Sequence, residues 1–223
     1  SMTHTAMSSV RVMMTCAVMG QAVGEAAAIC AEFNLAPHGV YLEKTELLQD
    51  MLMDDDCFIP NKKRKVGELC RKTPVQGGNE RLKHGEDRPH KIYNSSECGM
   101  TVKNGTALEY RFEKFEPVKS VHITFDSDLN RTTLPGDECE RTKSTRCNTL
   151  LNSPQFYVPK TLCKEFLLTA EAEEGQIVLF EKRNNLCRAF TVPVNRKLKG
   201  IKLTPISNHG ESETTAVFSF DFR

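Results

Sequence analysis

Tryptophan is absent from the 223 residues, and aromatic residues together make up only 7% of them. That absence weakens any reading that needs broad aromatic faces for stacking on a ring, because four tyrosines are the main substitutes. An excess of charge of either sign is also missing: 30 Lys and Arg stand against 29 Asp and Glu, for a net charge of +1. A balance of this kind excludes general electrostatic attraction to nucleic acid or to a membrane surface. No pair of cysteines has C-x-x-C spacing, and their number, nine, is odd (Cys16, Cys30, Cys57, Cys70, Cys98, Cys139, Cys147, Cys163 and Cys187). Several fall inside apolar runs, so they read as free thiols in a reducing, cytoplasmic compartment rather than as a disulfide frame. The six histidines are scattered without metal-ligand spacing, and Cys139 and Cys147 are isolated, so no metal site is expected. There is no G-x-S-x-G, and nothing pairs a particular Cys with a particular His as nucleophile and base.

What is present divides the chain in two. Ser1-Met2 reads as a tag scar, and nothing before Val10 has the charged and apolar regions of a signal peptide. Residues 10–33, VRVMMTCAVMGQAVGEAAAICAEF, form an apolar run rich in Ala, Gly, Val and Met. The run predicts a helix that Ser8 or Ser9 caps and that Asn34 with Pro37 stops. Gln21 and Glu25 interrupt it, which argues against a membrane span. Gly20 and Gly24, with Ala17, Ala27, Ala28 and Ala31 around them, let another backbone or a flat ligand approach closely. A second helix is predicted over Glu43–Met53, from Leu47, Leu48, Met51 and Leu52, and Asp54-Asp55-Asp56 should end it. Residues 60–90 are charged and rich in turn formers and read as a linker, within which KKRK at 62–65 is expected to be solvated.

From residue 91 the period becomes two. ALEYRFEKF, VHITFD, FLLTAEAE, QIVLFEKR, AFTVPV, IKLTPI and VFSFDFR each alternate apolar with polar positions. Seven or eight such strands predict a mostly β chain, an antiparallel β-sandwich preceded by two helices. Residues 129–162 are expected as a long loop at one end, where, with Tyr93 and Tyr157, a ligand would be sought. Asp126, Asp128 and Asn130 have a D-x-D-x-N spacing but lack the glycine and distal glutamate of a calcium loop, so they read as turn chemistry. The expected divisions are therefore 1–59, 60–90 and 91–223.

The stretch THTAMSSVRVMMTCAVMGQAVGEAAAICAEFNLAPHGVYLEKTELLQDMLMDDDCFIP resembles the last part of the flavin domain in bacterial FAD-dependent oxidoreductases. VHITFDSDLNR and the ending AVFSFDFR are similar to a β-sandwich tail that follows that domain in some of them. The resemblance implies a jelly-roll, galactose-binding-like fold for the tail and an interior position for the first long helix. Carried over by motif, it places Cys16, Ala17, Val18, Met19 and Gly20 as the turn or first helical residues beside the flavin, with Gly20 and Gly24 permitting close approach. Arg11 would lie near the flavin or substrate, and His4 is a weaker candidate on the substrate side. A helix N-terminus suits the end of the flavin that gains electron density on reduction. The G-x-G-x-x-G that holds a dinucleotide pyrophosphate is nowhere in the sequence.

The chain is thus expected to be the C-terminal fragment of such an oxidoreductase, whose parent binds FAD. Alone it is expected to be inactive, to hold no cofactor and to be structural. The partner it implies is the missing N-terminal flavin domain; without it, residues 10–33 are expected to self-associate or to pack back on the sandwich. A carbohydrate-binding or protein-interaction module is the alternative.

Overall fold

The computed structural model describes residues 3–88, 99–128, 133–134, 137–140 and 158–223. Two compact units divide the chain, residues 1–65 and 66–223.

The described residues of the first unit are helical, with four helices among them where two are expected: α1 (His4–Val10), α2 (Met13–Phe33), α3 (Pro37–Glu43) and α4 (Thr45–Asp54). The cap of α1 is Thr3, whose hydroxyl accepts from the Ala6 N–H at 3.2 Å, so Ser8 and Ser9 lie inside a helix rather than at its start. Val12 is extended (φ −119°, ψ 134°) and separates α1 from α2. Asn34 ends α2 in the left-handed region (φ 50°), where its Cβ is tolerated better than most. Pro37, expected as a stop, instead begins α3, where its missing N–H costs nothing. Along α2, Ala22, Glu25, Ala26 and Ile29 recur at helical spacing; Ile29 is fully buried and the other three are half-buried. Both α3 and α4 contact α2. By length and composition α2 alone among the described helices is apolar enough to cross a membrane, with Glu25 a charge that such a span would bury.

KKRK is only partly solvated. Lys62 Nζ lies 2.9 Å from Asp50 Oδ1, and Lys65 Nζ lies 2.6 Å from Asp50 Oδ2 and 3.0 Å from Glu46. Partial burial opposes the charge on Asp50, but the hydrogen bonds from Lys65 and Lys62 outweigh it and hold the carboxyl below its usual range.

The second unit starts at Val66, inside the stretch expected to be linker. Residues 66–88 carry α5 (Glu68–Lys72), the short strand β1 (Val75–Gln76) and a 3₁₀ turn (Glu80–Lys83). Val66, Cys70, Val75 and Leu82 are buried in the unit's core. The buried Lys83 ammonium donates to the Arg71 and Thr73 carbonyls at 3.0 and 2.7 Å and pairs with Glu80 at 2.9 Å, so its charge is solvated by protein in place of water.

The strands are β2 (Met100–Lys103), β3 (Leu108–Phe125), β4 (Thr133–Leu134), β5 (Asp137–Glu140), β6 (Cys163–Ala172), β7 (Gly175–Lys182), β8 (Ala189–Asn208) and β9 (Thr214–Phe222). All pairings are antiparallel, in a sheet ordered β2-β9-β3-β8-β6-β7 with β1 beside β3, and a separate β4-β5 pair. A mostly antiparallel β architecture preceded by helices is the fold expected. ALEYRFEKF and VHITFD, read as two strands, are one 18-residue strand, β3; AFTVPV and IKLTPI are likewise one 20-residue strand, β8.

The main sheet doubles over to enclose its core. Ile123 of β3 pairs with Phe220 of β9, whereas Tyr110 lies thirteen residues earlier on β3, about 40 Å away along a straight strand. Yet the Tyr110 hydroxyl donates to the Phe220 carbonyl at 2.6 Å. The strand therefore turns back between them, at register shifts bounded by Arg111 and Glu116 and by Val118 and Ser120. The Tyr110 ring packs 5.0 Å from both Phe220 and Phe222, and Phe125 packs 4.9 Å from Phe166 across the same interior. Gly99 opens the approach to β2 with φ +73°, and a Cβ there would lie 2.5 Å from the Val217 carbonyl, which only glycine avoids.

Candidate functional site

The exposed side of α2 is the first candidate. Gly20 and Gly24 stand four residues apart, and Ala22 is two residues, about 200°, around the helix from Gly20. The glycines therefore face away from the side that carries Ile29. A Cβ built at Gly20 or Gly24 meets nothing within 4 Å, so no neighbour among the described residues requires the lack of a side chain. Met13, Met14, Val18 and Val23 are exposed at 87%, 74%, 52% and 67%. Burying a side chain of this size contributes about 1.5–3 kcal/mol, so such a surface favours a partner.

The N-terminus of α2 is equally open. No side chain caps it, and the Cys16 N–H is the first to reach back, to the Val12 carbonyl at 2.9 Å. The amides of Met13, Met14 and Thr15 thus precede the first intrahelical bond and carry the positive end of the helix dipole. The first helical residues are Met13–Cys16; Ala17, Val18, Met19 and Gly20 follow in the next turn, because Val12 rather than Cys16 is the extended residue before the helix. Arg11 lies two residues before α2, closing α1 with its N–H on the Met7 carbonyl at 3.1 Å and its side chain exposed. His4 is the exposed first residue of α1. Cys16 Sγ is 3.7 Å from the Val10 carbonyl.

The arrangement offers an open helix end and a face of small residues. An uncapped helix end offers N–H groups to an electron-rich carbonyl edge, and the glycine face offers a wall on which a flat ring or a backbone can lie. The sequence holds no G-x-G-x-x-G, the pattern that cradles a pyrophosphate.

A buried polar cluster in the second unit is the other candidate, and the sequence reading passed over it. His122 and Thr124 lie on β3, Thr191 on β8 and Ser219 on β9, with Asp87 from the segment after the 3₁₀ turn. His122 Nδ1 is 3.0 Å from Thr191 Oγ1, and Nε2 is 3.0 Å from Thr124 Oγ1 and 3.8 Å from Asp87 Oδ2. Ser219 donates a short hydrogen bond to Asp87 Oδ1, and Arg188 donates to the Asp87 carbonyl at 2.5 Å. Asp87 stands between Ser219 and His122, so the imidazole is not placed to take the serine proton, and the cluster is not a nucleophilic triad. Its signal was the polar half of the alternation in VHITFD and VFSFDFR, the half ordinarily assigned to water.

Asp126 Oδ1 accepts from the Asp128 N–H at 2.9 Å, and Asp128 has φ 57°, which is turn chemistry; Asn130 lies outside the described residues. No group of three or more His, Cys, Asp or Glu among the described residues is arranged to hold a metal ion. Cys16, Cys30, Cys70, Cys163 and Cys187 are free thiols. Burial pushes the Cys70 thiol up to about 11 and the Cys163 thiol up to about 12, the reverse of what a nucleophile needs. The side chains of Cys98, Cys139 and Cys147, the rings of Tyr93 and Tyr157, and most of the 129–162 loop lie outside the described residues.

Residues 1–52 match the family described as FAD dependent oxidoreductase. No curated protein sequence is significantly similar to the chain. Among solved structures, the family 32 carbohydrate-binding module from Streptococcus pneumoniae EndoD is 10% identical, with 70% of this chain and 97% of that one covered and a TM-score of 0.43. A Streptococcus pneumoniae fucose binding module is also 10% identical, covering 70% and 94% at a TM-score of 0.43. A two-domain protein of unknown function from Bacteroides fragilis is 8% identical, covering 74% and 46% at a TM-score of 0.43. The N-terminal 52 residues, which hold the open helix, thus match the FAD dependent oxidoreductase family, and they are followed by an antiparallel β-sandwich unit.

Proposed function

We propose that this chain is the closing part of a FAD-dependent oxidoreductase, in which α2 lies against the flavin domain, and that by itself the chain is structural and does not turn over substrate. The observation that carries the reading is the exposed, small-residue side of α2, inside a segment that matches the oxidoreductase family. In the parent, the uncapped end of α2 and the Gly20–Gly24 face would border the flavin, with Arg11 beside it and His4 toward the substrate. The flavin supplies the redox chemistry when bound. This chain's residues supply the wall, a partial positive charge and exclusion of water. Outside the parent, residues 10–33 would pair with a second copy or be shielded by the rest of the chain.

An architectural role for the sandwich ranks above sugar binding, because Phe115 is its one exposed aromatic among the described residues. Free thiols at Cys16, Cys30, Cys70, Cys163 and Cys187 accord with a reducing cytoplasm. Titration of the purified chain with FAD tests the proposal: flavin fluorescence and melting temperature should both stay unchanged.

A further inference from the structure

The exposed side of α2 has the spacing of a helix-pairing seam. Met13, Ala17, Gly20, Gly24, Ala27 and Ala31 follow one another at alternating intervals of four and three residues, and all six are exposed. That alternation averages about 3.5 residues, the repeat by which one helix packs along another, and it keeps all six within about 60° of Gly20 around the axis. Val23, 67% exposed, lies at the edge of the same strip. Ile29, the buried residue of α2, lies on the opposite side.

The strip is complementary to itself when a second copy runs the other way. The glycines are centred on residue 22, next to the middle of the 21-residue helix, so a partner crossing there overlaps nearly its whole length, about 30 Å. In that register Gly20 of one copy meets Gly24 of the other, Ala17 meets Ala27, and Met13 meets Ala31. The smallest residues then sit where the axes approach closest, and the long, adaptable Met side chain falls against a methyl group. The ends of the helix carry opposite charges, Arg11 just before α2 and Glu32 in its last turn, both exposed. An antiparallel partner sets each Arg11 near the other copy's Glu32, whereas a parallel partner sets like charges together. The remaining charged residue of α2, Glu25, is half-buried on the Ile29 side and stays out of the seam.

We propose that two copies of this chain, without the flavin domain, pair through α2 as an antiparallel helix pair that crosses at Gly20 and Gly24. The pairing rests on the reading above that this side of α2 is a docking face, and it names a second copy as the occupant when the chain stands alone. Sedimentation velocity of the whole chain from about 1 to about 300 μM should show a monomer–dimer equilibrium. Gly20→Leu fills the crossing, yet a Cβ at Gly20 meets nothing within 4 Å and Leu is the better helix former, so the helical circular dichroism should be kept. The dimer should weaken by about tenfold or more, because the two axes can no longer approach. Arg11→Glu and Glu32→Arg should each weaken it, and the two together should restore it. A monomer at every concentration overturns the pairing, and flotation of that monomer with phosphatidylcholine vesicles would give the face to a bilayer instead. A dimer that Gly20→Leu leaves intact, or a double charge reversal that restores nothing, overturns it as well. Titration with FAD keeps the two readings apart: a monomer that ignores FAD sinks the pairing alone, whereas a dimer that binds FAD sinks the reading of a chain without cofactor.

Discussion

Removing a single oxygen from Tyr110 tests the doubled-over sheet. In Tyr110→Phe the ring keeps its neighbours Phe220 and Phe222, each 5.0 Å away, while the Phe220 carbonyl loses a donor at 2.6 Å in a place where Tyr110 is 0% exposed. A lost hydrogen bond with a buried acceptor left behind costs about 1–2 kcal/mol. For a unit of this size that lowers the melting temperature by about 2–8 °C. Urea unfolding should show a lower midpoint with an unchanged slope, because the surface exposed on unfolding stays the same. Burial raises the phenol's pKa far above the ordinary tyrosine range, with Cys70 adding to the shift. A raised folded-state value gives stability that is complete below the unfolded value, about 10, and that falls as pH rises above it. The wild-type chain should therefore lose stability above about pH 10 more steeply than Tyr110→Phe does. An unchanged melting temperature and an unchanged alkaline limb would refute the contact between the two arms of the sheet.

The buried thiols make a related prediction at lower pH: with Cys70 pushed to about 11 and Cys163 to about 12, stability should begin to fall once unfolded thiols ionise, near pH 8.5. Cys163→Ala should flatten that fall in chemical denaturation followed from pH 7 to about pH 10. In the helical unit, a hydrogen bond with Asp55, partial burial and repulsion from Asp55 all raise the Glu25 carboxyl above its usual range. The stability this shift contributes is full below the unfolded value and is lost as pH rises through the folded one, so the unit should be firmer in mild acid than at neutrality. Glu25→Gln should remove that dependence and stabilise the unit at pH 7 by up to about 0.5 kcal/mol, kept small by solvent screening and read from helical circular dichroism on heating.

Much of this was legible in the residues. Period-two alternation marked the strand segments, and the small-residue run marked α2. Continuity was harder to see: Pro117 sits within β3 and Pro193 within β8, and a proline inside an alternating run reads as a break. Here Pro117 falls between two register shifts and Pro193 beside one, where the ladder tolerates it. Residues 66–88 read as linker because Val66, Cys70, Val75 and Leu82 follow no single period; each reaches the core from a different short element. The His122 cluster was invisible for another reason. Alternation reports which positions are polar, whereas burial of the polar half depends on the Asp87 segment crossing the sheet, a contact between distant parts of the chain.

The most direct measurement is a FAD titration of the purified chain, following flavin fluorescence and protein melting temperature together. No quenching and no rise in melting temperature are expected, because the proposal gives α2 only one wall of the flavin site and the sequence has no G-x-G-x-x-G to cradle a pyrophosphate. Quenching with a clear upward shift would contradict it, since a ligand stabilises only the fold that binds it.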